Sequence, residues 1–548
     1  MRKIVITFMT FLSIQAFAAK PDATPIGNAA APSGGTFFYN LVAEPEILNP
    51  IYHSERVTSQ IAEFVMDRLL ELNPETNAWE PGLAEKYEVS KDGLTFTFKL
   101  RKNLKWSDGQ PLTSDDVRFT IECVNDPAFK AVHRKSYYED IAKIETPDPL
   151  TIKFVMKKKY YKTLEVLASQ TLIVPKHIYG DPSKPLSKVM MGAGPYMMDQ
   201  YNHGKSIELV RNPHWWGVDA KEKMSIGQAK FERVVFRFIK DENLQVEMLK
   251  KGQLDFLDLQ PNQFAQKTSE PPFDTEIIKH KEENQDATKK AFYFTAWNLK
   301  NPLFQDRNVR IALAELMNRP MMIEKFRFGL SDLAAGPTYL RNEQIADPAV
   351  KPLPYDPKHA SELLKKAGWE DHDKNGILDK KINGAKTEFR FTLLLPNPDY
   401  EKYFTSYKED LKKAGIEMEI KNIEWNAFVK LLNEQKFDSL AMSWVVGSLE
   451  ADPKQIWHST SANLGGSNFI SYKNPVVDKL IDKAREEMNP VKRRDMFRKV
   501  YRTIAEDAPY VWMFSTRYDL YAAWKAVGMT KGTMKYDRGM TFWWKAAN

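Results

Sequence analysis

The residues able to do chemistry are numerous in this chain, but they are not grouped as a catalyst would need. None of the nine histidines stands at metal-ligand spacing from a second. The sequence has no G-x-S-x-G elbow, no H-E-x-x-H pair, no phosphate-cradling glycine loop and no C-x-x-C. An enzyme is therefore not expected. Asp371, Asp373, Asn375 and Asp379 space their oxygens like the opening of a calcium loop, with Gly376 at the sixth position. The twelfth position, which should supply a bidentate glutamate, is Ile382. A structural turn is expected there, without metal or cofactor. Aromatic residues make 12% of the chain, and a large core uses many of them. Trp444 differs by its place: the strand-like run from Ser439 to Gly447 leads into a loop bearing Glu450, Asp452 and Pro453.

The elements that must position such residues read as alternating strands and helices. Leu94, Phe96, Phe98 and Leu100 alternate with polar residues, the period of a half-buried strand. Asp92-Gly93 and Asp108-Gly109 bracket that strand with turns. Thr113 or Ser114 can cap a helix opening on Asp115 and Asp116. Thr36–Leu41 reads as a strand, and Ile61, Val65, Leu69 and Leu72 form a helical stripe over 57–72. Short strands and turns dominate 75–190, a sheet-rich subdomain. Ala291–Trp297 is a strong strand after a charged stretch, so a domain change is expected near 290. Helices ending at Gly368 and Gly415 then alternate with strands over 388–395 and 416–421. The fold class is α/β.

The first eighteen residues have a basic start, an apolar core and Ala16-Phe17-Ala18, the pattern of a cleavable signal peptide cut after Ala18. The apolar run is too short to span a bilayer comfortably. Residues 19–35, rich in Ala, Pro and Gly, read as a flexible leader. Ala19 rather than Cys would open the mature chain, which excludes a lipoprotein. A single cysteine cannot form an internal disulfide, and Cys123 lies on an apolar helix stripe. The net charge of +7 is interspersed, so no nucleic-acid surface is expected. These features predict a protein of the periplasm that is not membrane-embedded.

The run from Pro81 to Val117, PGLAEKYEVSKDGLTFTFKLRKNLKWSDGQPLTSDDV, closely resembles the signature of the family 5 extracellular solute-binding proteins, the dipeptide and oligopeptide binders of bacterial ABC importers. Further phrases of the same family lie at 192–217, at 249–255 and at 302–313. The resemblance implies a two-lobed periplasmic binding fold with two hinge crossings: lobe I over 36–290, lobe II over 291–511, and a return to lobe I over 512–548. It also implies capture of a short peptide between closing lobes and delivery to an ABC permease, most simply by a monomer. The same family carries oligosaccharides, metal complexes and cell-wall peptides, and a secreted enzyme or chaperone on this scaffold is a further alternative.

By the same resemblance, a Trp followed after three residues by an acid would pair a peptide's ammonium group. Here Gly447 holds the acid's place, so Glu450 or Asp452 is expected to reach the spot through a longer loop. Glu46, Tyr137 (or Tyr138), Trp297 and Asn298 fall where the family brings residues toward its ligand.

Overall fold

The computed structural model describes residues 25–546, except 53–54, 130, 132–133, 185, 221, 284–289, 339–341, 343–344, 447–449 and 530–536. The expected signal peptide lies outside the described residues. A seven-stranded sheet is ordered Ile277–Glu283, Tyr518–Trp524, Phe256–Asp258, Thr36–Leu41, Arg233–Phe238, Ser206–Arg211, Tyr196–Asn202. Its central strand forms because Phe37, Tyr39 and Leu41 alternate into the core, and it runs parallel to Arg233–Phe238 from Thr36↔Arg233 onward. The same core continues under a four-stranded antiparallel sheet, Ala84–Val89, Thr95–Leu100, Thr151–Met156 and Ile141–Asp148. Two sheets on one core make a single lobe. At Asp92-Gly93 the turn follows its sequence: Gly93 has φ +72° and the Asp92 carboxylate accepts from the Leu94 N–H at 2.9 Å. The helix Ser114–Asn125 starts where the Asp116 carboxylate accepts from the Thr113 N–H at 3.0 Å.

A six-stranded sheet is ordered Ser331–Leu333, Tyr510–Thr516, Lys290–Trp297, Ser439–Val446, Arg390–Leu395, Glu417–Asn422. Helices cover both faces. Val511 and Met513 pack with the helices Arg307–Glu315, Pro357–Lys366 and Glu401–Lys413. Tyr510 and Trp512 face the opposite way, toward Trp425–Asn433, Pro475–Glu486 and Pro490–Asp507. One strand thus serves two cores by its period of two.

The chain passes between these sheets twice. Ile277–Glu283 belongs to the first sheet and Lys290–Trp297 to the second. Tyr510–Thr516 belongs to the second and Tyr518–Trp524 to the first, so the return falls at Arg517, beyond the position 511 expected from sequence. The whole aromatic run 510–514 is buried in the second sheet because both of its faces are covered by helices. The helix expected over 57–72 stops at Val65. Met66 turns extended, the Val65 carbonyl accepts from the Gly194 N–H at 3.0 Å, and Leu70–Leu72 pairs as a strand with Trp79–Pro81. Leu69 is therefore a core residue outside the helix, and Leu72 is half-buried on the short strand.

Candidate functional site

A cavity of ≈ 2150 Å³ lies between the two lobes. One wall comes from the loop after Thr36–Leu41 and the helix Arg56–Val65. The facing wall comes from Ala441–Val445, Trp425 and the loop at Glu450. The strand Ser439–Val446 is fully paired with Lys290–Trp297 on one side. On its other side Arg390–Leu395 pairs only Ser439 and Leu440. From Ala441 to Val445 the strand lines the cavity, and among the described residues no strand pairs with that edge. Trp444 backs the edge, half-buried, stacked on Phe469 at 5.8 Å and Phe294 at 6.4 Å.

Carboxylates outnumber lysine and arginine about two to one among the described lining residues, the reverse of the chain's net charge. Glu55 accepts from the Glu46 N–H at 3.0 Å and from the Trp425 indole of the other lobe, and burial raises its pKa. Glu242 accepts from Asn262 at 2.9 Å. Burial raises its pKa first, and Asp399 of the opposite lobe raises it further, against Lys402 and Arg327. Glu71, beside Asp67 on the first lobe, is pushed up to about 7 by burial and by its neighbour, with Arg68 opposing. The Trp216 indole donates to Asp67 at 2.6 Å. From the C-terminal segment, Arg538 is held by Asp258 and by Asp519 at 2.6 Å, over the rings of Phe256 and Tyr521.

The residues nominated from sequence are partly brought together here. Trp444, Glu46, Tyr137, Glu450 and Asp452 all line the cavity. Gly447 lies outside the described residues. Trp297 and Asn298 are turned away from it. Trp297 is fully buried against Phe304 at 5.0 Å and Phe391 at 5.8 Å. Asn298 donates to the carbonyls of Gln435 and Phe437 at 3.0 and 2.8 Å. Both finish the end of a strand, so the expectation that they approach ligand is corrected.

The two nominated acids are already paired within their own lobe. Glu450 takes the Arg493 guanidinium at 2.7 and 3.1 Å. Asp452 is ion-paired with Arg485 at 3.2 Å and accepts from the Tyr160 hydroxyl at 2.6 Å. Neither presents a free carboxylate for an ammonium group.

Sequence reasoning missed Glu55, Glu71, Glu242, Trp425 and Arg538, which are gathered from stretches hundreds of residues apart. Asp371, Asp373 and Asp379 bring their oxygens within 4.8 Å of one another, but Lys386 already sits on Asp373 and His372 on Asp379.

Residues 78–466 match the sequence profile described as bacterial extracellular solute-binding proteins, family 5 middle region. The chain belongs to this family. Oligopeptide-binding protein AppA of Bacillus subtilis is 27% identical over 525 residues, covering 94% of this chain and 92% of that protein. The probable peptide-binding protein YejA of Agrobacterium fabrum is 26% identical, covering 95% and 91%. The structure of B. subtilis AppA in complex with a nonapeptide superimposes with a TM-score of 0.83 at 26% identity, over 94% of this chain and all of that one. DppA from Helicobacter pylori, in complex with the peptide STSA, gives 0.81 at 21% identity, over 94% and 99%. The family 5 chain therefore has the two-lobed binding-protein fold, with its cavity where the lobes meet. Among the described residues no helix is long and apolar enough to cross a membrane.

Proposed function

We propose that this family 5 protein is a carrier for short peptides, captured between its lobes and passed unchanged to an ABC permease. The observation that carries the reading is the strand edge from Ala441 to Val445, with which no strand among the described residues pairs, lining a cavity of ≈ 2150 Å³. An extended peptide adds to such an edge through its own backbone, so affinity does not depend on its side chains. The peptide complexes of AppA and DppA support the same choice of ligand. The acid-rich lining adds a preference for ligands bearing positive charge. Glu242 of one lobe and Asp399 of the other both line the cavity, and Asp399 raises the Glu242 pKa against Lys402 and Arg327. A monomeric protein of the periplasm, exported by the segment that ends at Ala18, fits this role.

The test is to strip the protein of bound material, offer a random-sequence hexapeptide mixture, and identify by mass spectrometry what denaturation releases. The expected result is intact peptides of varied sequence, enriched in Lys and Arg over the mixture. Recovery of no peptide overturns the reading. Recovery without charge enrichment overturns only the charge preference.

A further inference from the structure

Tyr160 and Tyr161, neighbours at the end of the sheet-rich part of lobe I, reach across to lobe II in two parallel arrangements. The Tyr160 hydroxyl donates to Asp452 at 2.6 Å, and the Arg485 guanidinium lies over its ring at 4.3 Å. The Tyr161 hydroxyl donates to the Glu450 carbonyl at 3.0 Å, and the Arg493 guanidinium lies over its ring, also at 4.3 Å. Each tyrosine is thus seated on an arginine–carboxylate pair belonging to lobe II. The Tyr161 N–H donates to the Arg485 carbonyl at 3.0 Å, satisfying an acceptor in the last turn of Pro475–Glu486 that the helix cannot. Around these, Arg485 donates to the Ser136 carbonyl at 3.0 Å, Tyr137 to Gln455 at 2.6 Å, and Lys454 to Glu139 at 2.6 Å. Tyr161 packs against the cores of both lobes.

The division of charge between the lobes decides what this contact can do. Both arginines are neutralised by acids of their own lobe, so parting the lobes there strands no buried ion. At the centre lobe I contributes two hydroxyls, two ring faces, one backbone N–H and the Lys162 ammonium, which donates to the Glu450 carbonyl at 3.1 Å and is paired with Glu165 of its own lobe at 2.7 Å. Water can replace each of these at small cost. The ion pairs that the lobes do share, Lys454 with Glu139 at 2.6 Å and Lys158 with Glu486 at 3.0 Å, lie at the rim, where their carboxylates keep contact with solvent. Burial raises the pKa of both tyrosines; burial disfavours the Arg485 charge, and Asp452, Tyr160, Glu139 and Asp140 together outweigh it and raise its pKa. The two hydroxyls therefore stay protonated and Arg485 stays charged.

We propose that this double tyrosine clasp is a reversible latch: it biases the two lobes toward the closed arrangement without help from ligand, and Tyr160, Tyr161, Arg485 and Arg493 are positioning residues for binding. It gives Glu450 and Asp452 a task other than holding an amine. The proposal rests on the two-lobed fold alone and is independent of what the ligand is.

The test uses the full chain, stripped of bound material, with spin labels at Leu244→Cys on lobe I and Val476→Cys on lobe II. Both sites are exposed, and Cys123 is buried and stays unlabelled. Pulsed-dipolar distances are compared with and without Tyr160→Phe/Tyr161→Phe, and separately with Tyr137→Phe/Lys454→Ala at the rim. The expected result is a closed population in the parent protein that falls at least fivefold in the double tyrosine variant and less in the rim variant. Circular dichroism and the melting transition should stay those of a folded protein. Unchanged distances in folded variants overturn the proposal, and so does a parent protein that is fully open when stripped. If the double tyrosine variant does not fold, Tyr160→Phe alone decides: a reduced closed population supports the latch, and an unchanged one overturns it.

Discussion

At Glu450 and Asp452 the chemistry expected of the residue type was right and its partner was not. A carboxylate enclosed between lobes must be paired, and here arginines 43 and 33 residues away supply the pairing: Arg493 for Glu450, Arg485 for Asp452. No local pattern in the sequence announces that. Trp444 was legible because a strand-like run ends beside it, whereas Trp297 and Asn298 sit in an equally aromatic run whose far side happens to be core. Asn298→Ala should therefore lower stability by about 1–3 kcal/mol through its lost bonds to two carbonyls and leave peptide affinity unchanged. Chemical denaturation and a titration on the same sample check this. Trp444→Ala should do the opposite in the main, weakening binding about tenfold, because a half-buried ring backs the strand edge.

Glu71 carries a pH prediction. Its folded pKa of about 7 lies above the ordinary value of 4.5, so between those values the folded state holds more protons than the unfolded one. Stability then falls as pH rises through this window, and the penalty is fully present above about pH 7. Glu71→Gln removes an ionisable group that costs stability only when charged. The variant should be more stable than the parent by about 1–3 kcal/mol at pH 8, with the difference gone near pH 4. Urea midpoints at the two pH values measure it, and an equal difference at both contradicts the assignment.

At the scale of elements, alternation and turn chemistry gave reliable guidance wherever both spoke together. Phe96, Phe98 and Leu100 with Asp92-Gly93 define a strand and its turn, and the strand is Thr95–Leu100. The stripe at Ile61, Val65, Leu69 and Leu72 misled because helical spacing continues past Val65 by coincidence, while the backbone leaves the helix to meet Gly194 and pair with Trp79–Pro81. Nothing local marks that exit, since the residues that cause it are distant in sequence. The second passage between lobes was misplaced for a related reason: an unbroken aromatic run hides the single residue, Arg517, at which the sheet changes. The strand edge at Ala441–Val445 makes its own prediction. Peptides N-methylated at alternate backbone positions lose the donors that the edge would accept, and should bind at least tenfold more weakly than unmodified peptides of the same sequence. Calorimetric titration of the matched pair reads the difference, and equal affinities would show that side chains rather than backbone are recognised.

For the whole molecule, two lobes with separate sheets and cores are joined where the chain runs from Ile277–Glu283 to Lys290–Trp297 and from Tyr510–Thr516 to Tyr518–Trp524, and they can move as units. Closure then depends on contacts across the cleft. The tyrosine clasp at one end favours closing, and a ligand that touches both lobes adds its differential affinity for the closed state. Family membership and the two-lobed plan could be read from the long phrase at 81–117. The sign of the cleft's charge could not, because it is assembled from residues of both lobes and opposes the charge of the chain as a whole. The most direct measurement is small-angle X-ray scattering of the stripped protein with and without the peptides it selects from a random mixture, followed by mass analysis of those peptides. A carrier gives a smaller radius of gyration when peptide is bound and returns every peptide intact. An unchanged radius together with no retained peptide, or peptides returned cleaved, would contradict it.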